Sequence, residues 1–141
     1  MNDRQKSLLA AAQKAARRAY ADYSQFHVGA AVLAGGKEYV GANIENASAN
    51  LGLCAERVAI AHARMRNKAS IEGIAIFCAD ATLASNRVAS VNETFPCGAC
   101  RQWIAELAPN AWIVTNGSAK VYSIDDLLPQ PFMLTKRLRE K

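Results

Sequence analysis

The chain has 141 residues, 51% of them hydrophobic and 21% charged, with a formal net charge of +5. This is enough apolar chain for one globular domain with its own core, spanning residues 1–141, and too little for two. No apolar run approaches the roughly 18 residues of a membrane span, and the opening MNDRQKSLLAAAQKAARRAY has no compact apolar block or cleavage site of a secretory signal, so a soluble, cytoplasmic protein is expected.

Over residues 3–21 the apolar positions Leu8, Leu9, Ala12, Ala15, Ala16 and Ala19 recur at helical spacing, which predicts a helix covering a core. In VGAAVLAGGKEYVGANI two short apolar runs flank Gly35 and Gly36, a tight-turn signal, so 28–33 and 38–43 are expected to form a β-hairpin. CAERVAIAHARMR returns to helical spacing through Ala55, Val58, Ala59, Ala61 and Met65, and IEGIAIFCA is a continuous apolar run suited to a buried strand. Residues 80–94 have no sustained period and read as a long loop, a length often associated with function. CGACRQWIAELA is a further helix, and AWIVTN and AKVYS are strands. Ser123 with Asp126 forms a capping-box pattern for the short helix IDDLL, and Pro131 is placed to open a last helix, PFMLTKRLREK. This order of elements implies a three-layer α/β/α fold with a mixed sheet, and no repeat or linker interrupts it.

The basic residues fall in three scattered clusters: Lys14, Arg17 and Arg18; Arg64, Arg66 and Lys68; and Lys136, Arg137, Arg139 and Lys141. Each lies on an expected helix or at its end, where positive charge is ordinarily a solvated face or complements the helix C-terminus. No aromatic residues interleave with them to stack on bases, so nucleic acid is not the expected partner.

Four cysteines in a chain without an export signal favour metal binding or catalysis over disulfides. Cys97 and Cys100, three apart at the first turn of a helix, can aim at one point, and Cys54 heads the earlier helix in the same way. A helix N-terminus favours the thiolate form that a metal requires. Cys78 lies within an apolar strand and reads as a small buried hydrophobe. Three ligands leave a fourth position open, as in catalytic zinc sites, whereas structural sites are closed by four protein ligands. Three thiolates make zinc a site of net negative charge, which calls for compensation from Arg57, Arg101 and the two helix ends. A redox dithiol would leave the upstream CAE unexplained, and a zinc ribbon would need a partner for Cys54. Glu56, by itself, is an ordinary acid in a helix first turn, but the spacing CAE with PCGAC matches the zinc-deaminase signature, in which the glutamate is the general acid and base.

YSQFHVGAAV, GANIENAS, CAERVAIAHA, PCGACRQ and IDDLLPQPF, in that order, resemble the small homotetrameric cytidine deaminases of pyrimidine salvage, and the resemblance covers most of the chain. It implies the cytidine-deaminase-like fold, with a mixed five-stranded sheet, and one Zn²⁺ per subunit on Cys54, Cys97 and Cys100. It further implies that Glu56 is the proton shuttle and that Arg57 hydrogen-bonds the ligand sulfurs. Asn43 and Glu45 match the pair that holds the ribose hydroxyls, and Phe26 the aromatic wall of the nucleoside pocket. Ala55 and Pro96 fall at substrate-binding positions, Pro96 on the leaving-group side. Phe132 matches a phenylalanine that reaches a neighbouring subunit's active site, so shared sites in a homotetramer are implied.

The implied reaction is hydrolysis of cytidine or deoxycytidine to uridine or deoxyuridine with release of ammonia. Glu56 takes a proton from water and delivers protons to N3 and to the departing amine. Ala49 stands where the family carries a tyrosine, His27 where proline is common, and the 80–94 loop is longer than in many relatives. These departures leave a modified cytidine or an antibiotic such as blasticidin S as the alternative substrate. A zinc-stabilised binding module without turnover is the alternative of another class.

Overall fold

The computed structural model describes residues 1–81 and 91–134. It begins with helix α1, Asp3–Ala16, whose first turn is closed by Asn2 and Gln5. The Asn2 side chain accepts from the Gln5 amide at 2.9 Å and the Gln5 side chain accepts from the Asn2 amide at 2.8 Å, so two otherwise orphaned donors are satisfied reciprocally. Leu8, Ala12, Ala15 and Ala16 form its buried stripe. The helix ends earlier than its periodicity predicts. Tyr20 is drawn into a parallel bridge with Ile44, its amide bonding the Asn43 carbonyl and its carbonyl accepting from the Glu45 amide.

Strands β1, Val28–Ala34, and β2, Lys37–Ala42, form the expected hairpin. Gly35 and Gly36 have φ of +57° and +73°, the paired left-handed conformations of a two-residue hairpin turn. Helix α2, Ala55–Arg66, follows a short 3₁₀ turn at Ala49–Leu51. The buried stripe of α2 is Ala55, Ala59, Ile60 and Ala63, and Met65, expected on that face, is 84% exposed. Strand β3, Ile71–Cys78, leads towards residues 82–90, which lie outside the described residues, as does most of the expected 80–94 loop. The end of that loop, Val91–Thr94, is a 3₁₀ turn. Helix α3, Gly98–Leu107, strands β4, Trp112–Thr115, and β5, Ser118–Tyr122, and the short helix α4, Ile124–Leu127, complete the order. The Ser123 and Asp126 capping box forms as expected. Pro131 opens no helix through Leu134, and residues 135–141 of that expected helix lie outside the described residues.

The five strands make one mixed sheet in the order β2-β1-β3-β4-β5, with only β3 and β4 parallel. Side chains alternate between its faces. Ala31, Leu33, Ala75 and Val114 meet Leu8 and Ala12 of α1 on one face. Ala30, Val32, Ile74, Ile76 and Ile113 pack with Ala59, Ile60 and Ile104 of α2 and α3 on the other. The three-layer expectation is met. Small residues bring the layers close: a Cβ on Gly29 would lie 1.9 Å from the Ala12 carbonyl oxygen, and one on Gly41 2.4 Å from the Ala59 nitrogen. Packing this tight fixes where α2 begins, and with it the residues at its N-terminus.

Candidate active site

Cys54 is the N-cap of α2 and Cys97 the N-cap of α3, with Cys100 in the first turn of α3. Neither cap side chain bonds its own helix, which leaves both sulfurs free to face each other. The three sulfurs lie within 4.8 Å of one another, the one such cluster among the described residues. Cys54 Sγ and Cys97 Sγ are 3.7 Å apart. Two thiolates about 2.3 Å from a tetrahedral zinc ion would be separated by about 3.8 Å, so the donor set suits that metal.

Arg57, one turn into α2, points Nη2 at Cys54 Sγ at 3.7 Å and at the Gly52 carbonyl at 3.5 Å. The Cys100 thiol donates to Cys54 and, with Arg57, draws its pKa well below the usual thiol range against the effect of burial. Cys100, the donor in that bond, is pushed upward. Cys78 is buried in β3, and burial raises its thiol to about 12, in keeping with a small apolar wall residue outside the sulfur cluster.

Arg101, the second arginine expected to offset the thiolate charge, has its donors on backbone carbonyls. Its Nε donates to the Pro96 carbonyl at 2.8 Å, its Nη1 to the Leu127 carbonyl at 2.7 Å, and its guanidinium lies 5.9 Å from the centroid of the Phe95 ring. Its geometry is that of a brace between the loop before α3 and the end of α4. A planar group with several fixed donors is suited to tying carbonyls together, and these bonds turn it towards the backbone.

Glu56 is 4% exposed, and its Oε2 has no hydrogen-bond partner among the described residues. Burial pushes its carboxyl up to about 7. An orphaned carboxylate oxygen is costly in an interior and ordinarily marks a ligand or catalytic position. Here it lines a cavity of about 270 Å³ that also includes Phe26, Asn43, Glu45, Cys54, Ala55, Cys78, Phe95 and Cys97. The residues fit a metal held by three sulfurs beside an acid that keeps one oxygen unpartnered among the described residues.

The cavity gathers most of the sequence-derived candidates, but in unequal ways. Ala55 forms wall with no exposure. Pro96 is buried behind the wall, whose surface there is made by its neighbours Phe95 and Cys97. Asn43 is committed to the backbone: Oδ1 accepts from the Val28 amide at 2.9 Å and Nδ2 donates to the Phe26 carbonyl at 2.8 Å. Glu45 accepts from the Tyr23 amide at 3.1 Å and from both the amide and hydroxyl of Ser24. These bonds hold its pKa below the ordinary carboxylate range. Phe132 stands outside the cavity and is 69% exposed, its amide and carbonyl held by the Gln102 side chain at 3.0 and 2.6 Å. Sequence reasoning missed Phe95 and Ser24. Phe95 sits inside the cysteine motif, and its aromatic character beside Cys97 was the available signal.

The sequence of residues 2–116 matches the family described as cytidine and deoxycytidylate deaminase, zinc-binding region. A cytidine deaminase of Sporosarcina psychrophila is 42% identical over 82% of this chain and 73% of its own length. One of Halalkalibacterium halodurans is 39% identical over 92% of this chain and 94% of its own. The crystal structure of the Mycobacterium tuberculosis cytidine deaminase superposes with a TM-score of 0.78 at 32% identity, covering 95% of this chain and 100% of the other. That of Burkholderia pseudomallei gives 0.76 at 36% identity over 94% and 100% of the two chains. With the sulfur triad, the buried glutamate and the match over most of its length, this chain belongs to the zinc-binding cytidine and deoxycytidylate deaminase family.

Proposed function

We propose that the protein is a zinc-dependent hydrolase that converts cytidine and deoxycytidine to uridine and deoxyuridine, releasing ammonia. The observation that carries this reading is the unpartnered Oε2 of buried Glu56, placed in a cavity walled by Cys54 and Cys97. When bound to Cys54, Cys97 and Cys100, zinc supplies a Lewis acid that lowers the pKa of water. Arg57 offsets the negative charge of the thiolates from the Cys54 side.

The net reaction adds water at C4 of cytosine and expels the exocyclic amine as ammonia. Protons must therefore leave the water and reach first N3 and then the amine. Glu56 is suited to both transfers, because a carboxyl held near neutrality by burial can accept and return a proton within one site. Phe26 and Phe95 offer apolar faces to a flat base, Ala55 leaves room beside it, and Glu45 and Asn43 stand at the side where a sugar would lie.

The same reading makes residues 1–141 one catalytic domain of a homotetramer with shared sites. Exposed Phe132, Met133 and Leu134, together with Tyr20, Tyr23, Ile44, Leu51 and Leu53, supply apolar surface suited to a second copy. Four free cysteines suit a reducing compartment such as the cytoplasm. Among the described residues no helix is long and apolar enough to cross a membrane.

Zinc per chain and ammonia release test the proposal directly, with cytidine, deoxycytidine, 5-substituted cytidines, cytosine, CMP and blasticidin S as substrates. Turnover of the two unmodified nucleosides ahead of the others is expected. A zinc-loaded protein that deaminates none of them would falsify the enzyme reading, and a preference for blasticidin S would move the substrate assignment to the antibiotic.

A further inference from the structure

The segment that carries Phe26 into the cavity is held by more bonds than a loop of its length needs. Gln25, just before it, has φ of +57°, a left-handed conformation that is strained for a residue with a Cβ and persists only where the surroundings impose it. The Phe26 amide donates to the Ser24 hydroxyl at 3.0 Å, and Asn43 holds the Phe26 carbonyl and the Val28 amide. On the remaining side, Asp80 Oδ2 accepts from the His27 amide at 2.6 Å and lies 2.9 Å from His27 Nδ1. The His27 carbonyl in turn accepts from the Ala79 amide at 2.9 Å. One carboxylate oxygen thus takes both the backbone and the ring of His27, from 53 residues away in sequence.

We infer that Asp80 and His27 are a positioning pair for the reaction proposed above: they fix the backbone on which Phe26 forms the aromatic wall of the nucleoside pocket. Neither residue is among those that line the cavity, so their action on it runs through the backbone. Their bonds act at the peptide immediately after Phe26, while the Ser24 and Asn43 bonds act at Phe26 itself and at Val28. With both ends of the turn tied, the backbone from which the Phe26 ring projects is fixed. With the Asp80 side released, the strained Gln25 turn can relax and take the ring with it. The effect belongs in nucleoside binding rather than in proton transfer at Glu56, which is carried by α2.

The test uses the zinc-loaded full chain and three variants, Asp80→Ala, Asp80→Asn and His27→Ala, with steady-state kinetics on cytidine and amide exchange over residues 25–28. Loss of a charge-assisted pair of hydrogen bonds in Asp80→Ala is expected to raise KM about tenfold with kcat within about threefold and zinc unchanged. Asp80→Asn keeps an oxygen that accepts from the His27 amide and is expected to recover most of that loss. His27→Ala removes the ring contact but keeps the backbone bond, and about a threefold rise in KM is expected. Exchange at 25–28 should quicken in the same rank order.

A folded Asp80→Ala protein with wild-type KM and wild-type exchange overturns the inference. So does a fall in kcat at constant KM, or an Asp80→Asn protein no better than Asp80→Ala. If Asp80→Ala does not fold, His27→Ala decides: an unchanged KM and unchanged exchange overturn the pair. Should the wild-type protein fail to turn over any nucleoside, the proposed function falls, and the exchange rates alone still test whether Asp80 holds the Phe26 segment.

Discussion

The two walls of the cavity are built by different physics. The sulfur side stands on two helix N-termini: Cys54, Glu56 and Arg57 on α2, Cys97 and Cys100 on α3. A few residues of local spacing set its geometry, and the sheet beneath fixes the rest. The opposite side, where the proposed function puts the nucleoside, is assembled from Phe26, Asn43, Glu45 and Ser24 on irregular chain, joined by side-chain bonds to backbone groups, most of them distant in sequence. The first is suited to chemistry that tolerates no displacement. The second is suited to giving shape and specificity.

The largest effect should follow from breaking the sulfur side without disturbing its structure. Glu56→Gln keeps the size and burial of the side chain but removes the proton carrier, and a loss of about 10³-fold in kcat is expected at unchanged zinc content. Metal analysis beside a single-turnover assay checks it, and near wild-type turnover would remove Glu56 from the mechanism. Cys97→Ala separates metal from acid. It leaves two thiols for the ion, so zinc per chain should fall well below one and activity with it, whereas full zinc occupancy would break the three-ligand assignment.

How much of each wall is legible in the sequence follows the same division. CAE and PCGAC point to the three sulfurs that cluster and to the glutamate that lines the cavity beside them, because helix spacing converts directly into geometry. The hairpin was legible from Gly35 and Gly36, whose left-handed conformations the turn requires. Nothing in the sequence pairs Asp80 with His27, since a side chain bonded to remote backbone leaves no period. The partners of Arg101 were hidden for a related reason. Its charge and its place next to Cys100 suggested charge balance at the sulfurs, and nothing in the sequence shows that its donors go to the carbonyls of Pro96 and Leu127. Tertiary hydrogen bonding also ended α1 at Ala16, where apolar period alone continued it.

The sheet couples the two walls, which can be sharpened at Gly41. A methyl group there would stand 2.4 Å from the Ala59 nitrogen and 2.6 Å from the Ala55 carbonyl oxygen, so α2 must move away from β2. Gly41→Ala should destabilise the protein by about 1–3 kcal/mol. Because Cys54 and Glu56 ride on the same end of α2, kcat should fall more than KM rises. Thermal unfolding with kinetics on the folded variant checks this, and a destabilised protein of normal kcat would show that the helix end is held independently of its packing.

The smallest effect is expected at Ala49, on the outer side of Glu45. Ala49 is exposed, and it borders two shallow depressions of about 370 and 330 Å³, each of which includes Glu45. A tyrosine introduced there has open space to enter, so Ala49→Tyr should leave stability within about 0.5 kcal/mol, as expected of a surface substitution. The ring would narrow the approach beside Glu45, and Glu56 borders neither of these depressions. The expected result is a shift of no more than about fivefold in the ratio of kcat/KM values between cytidine and sugar-modified cytidines, because differential contact with one side chain is worth about 1 kcal/mol. A common loss across all substrates would mean that the ring blocks the cavity mouth. Identical ratios would mean that selectivity is decided deeper, by Phe26 and the bonds that hold it.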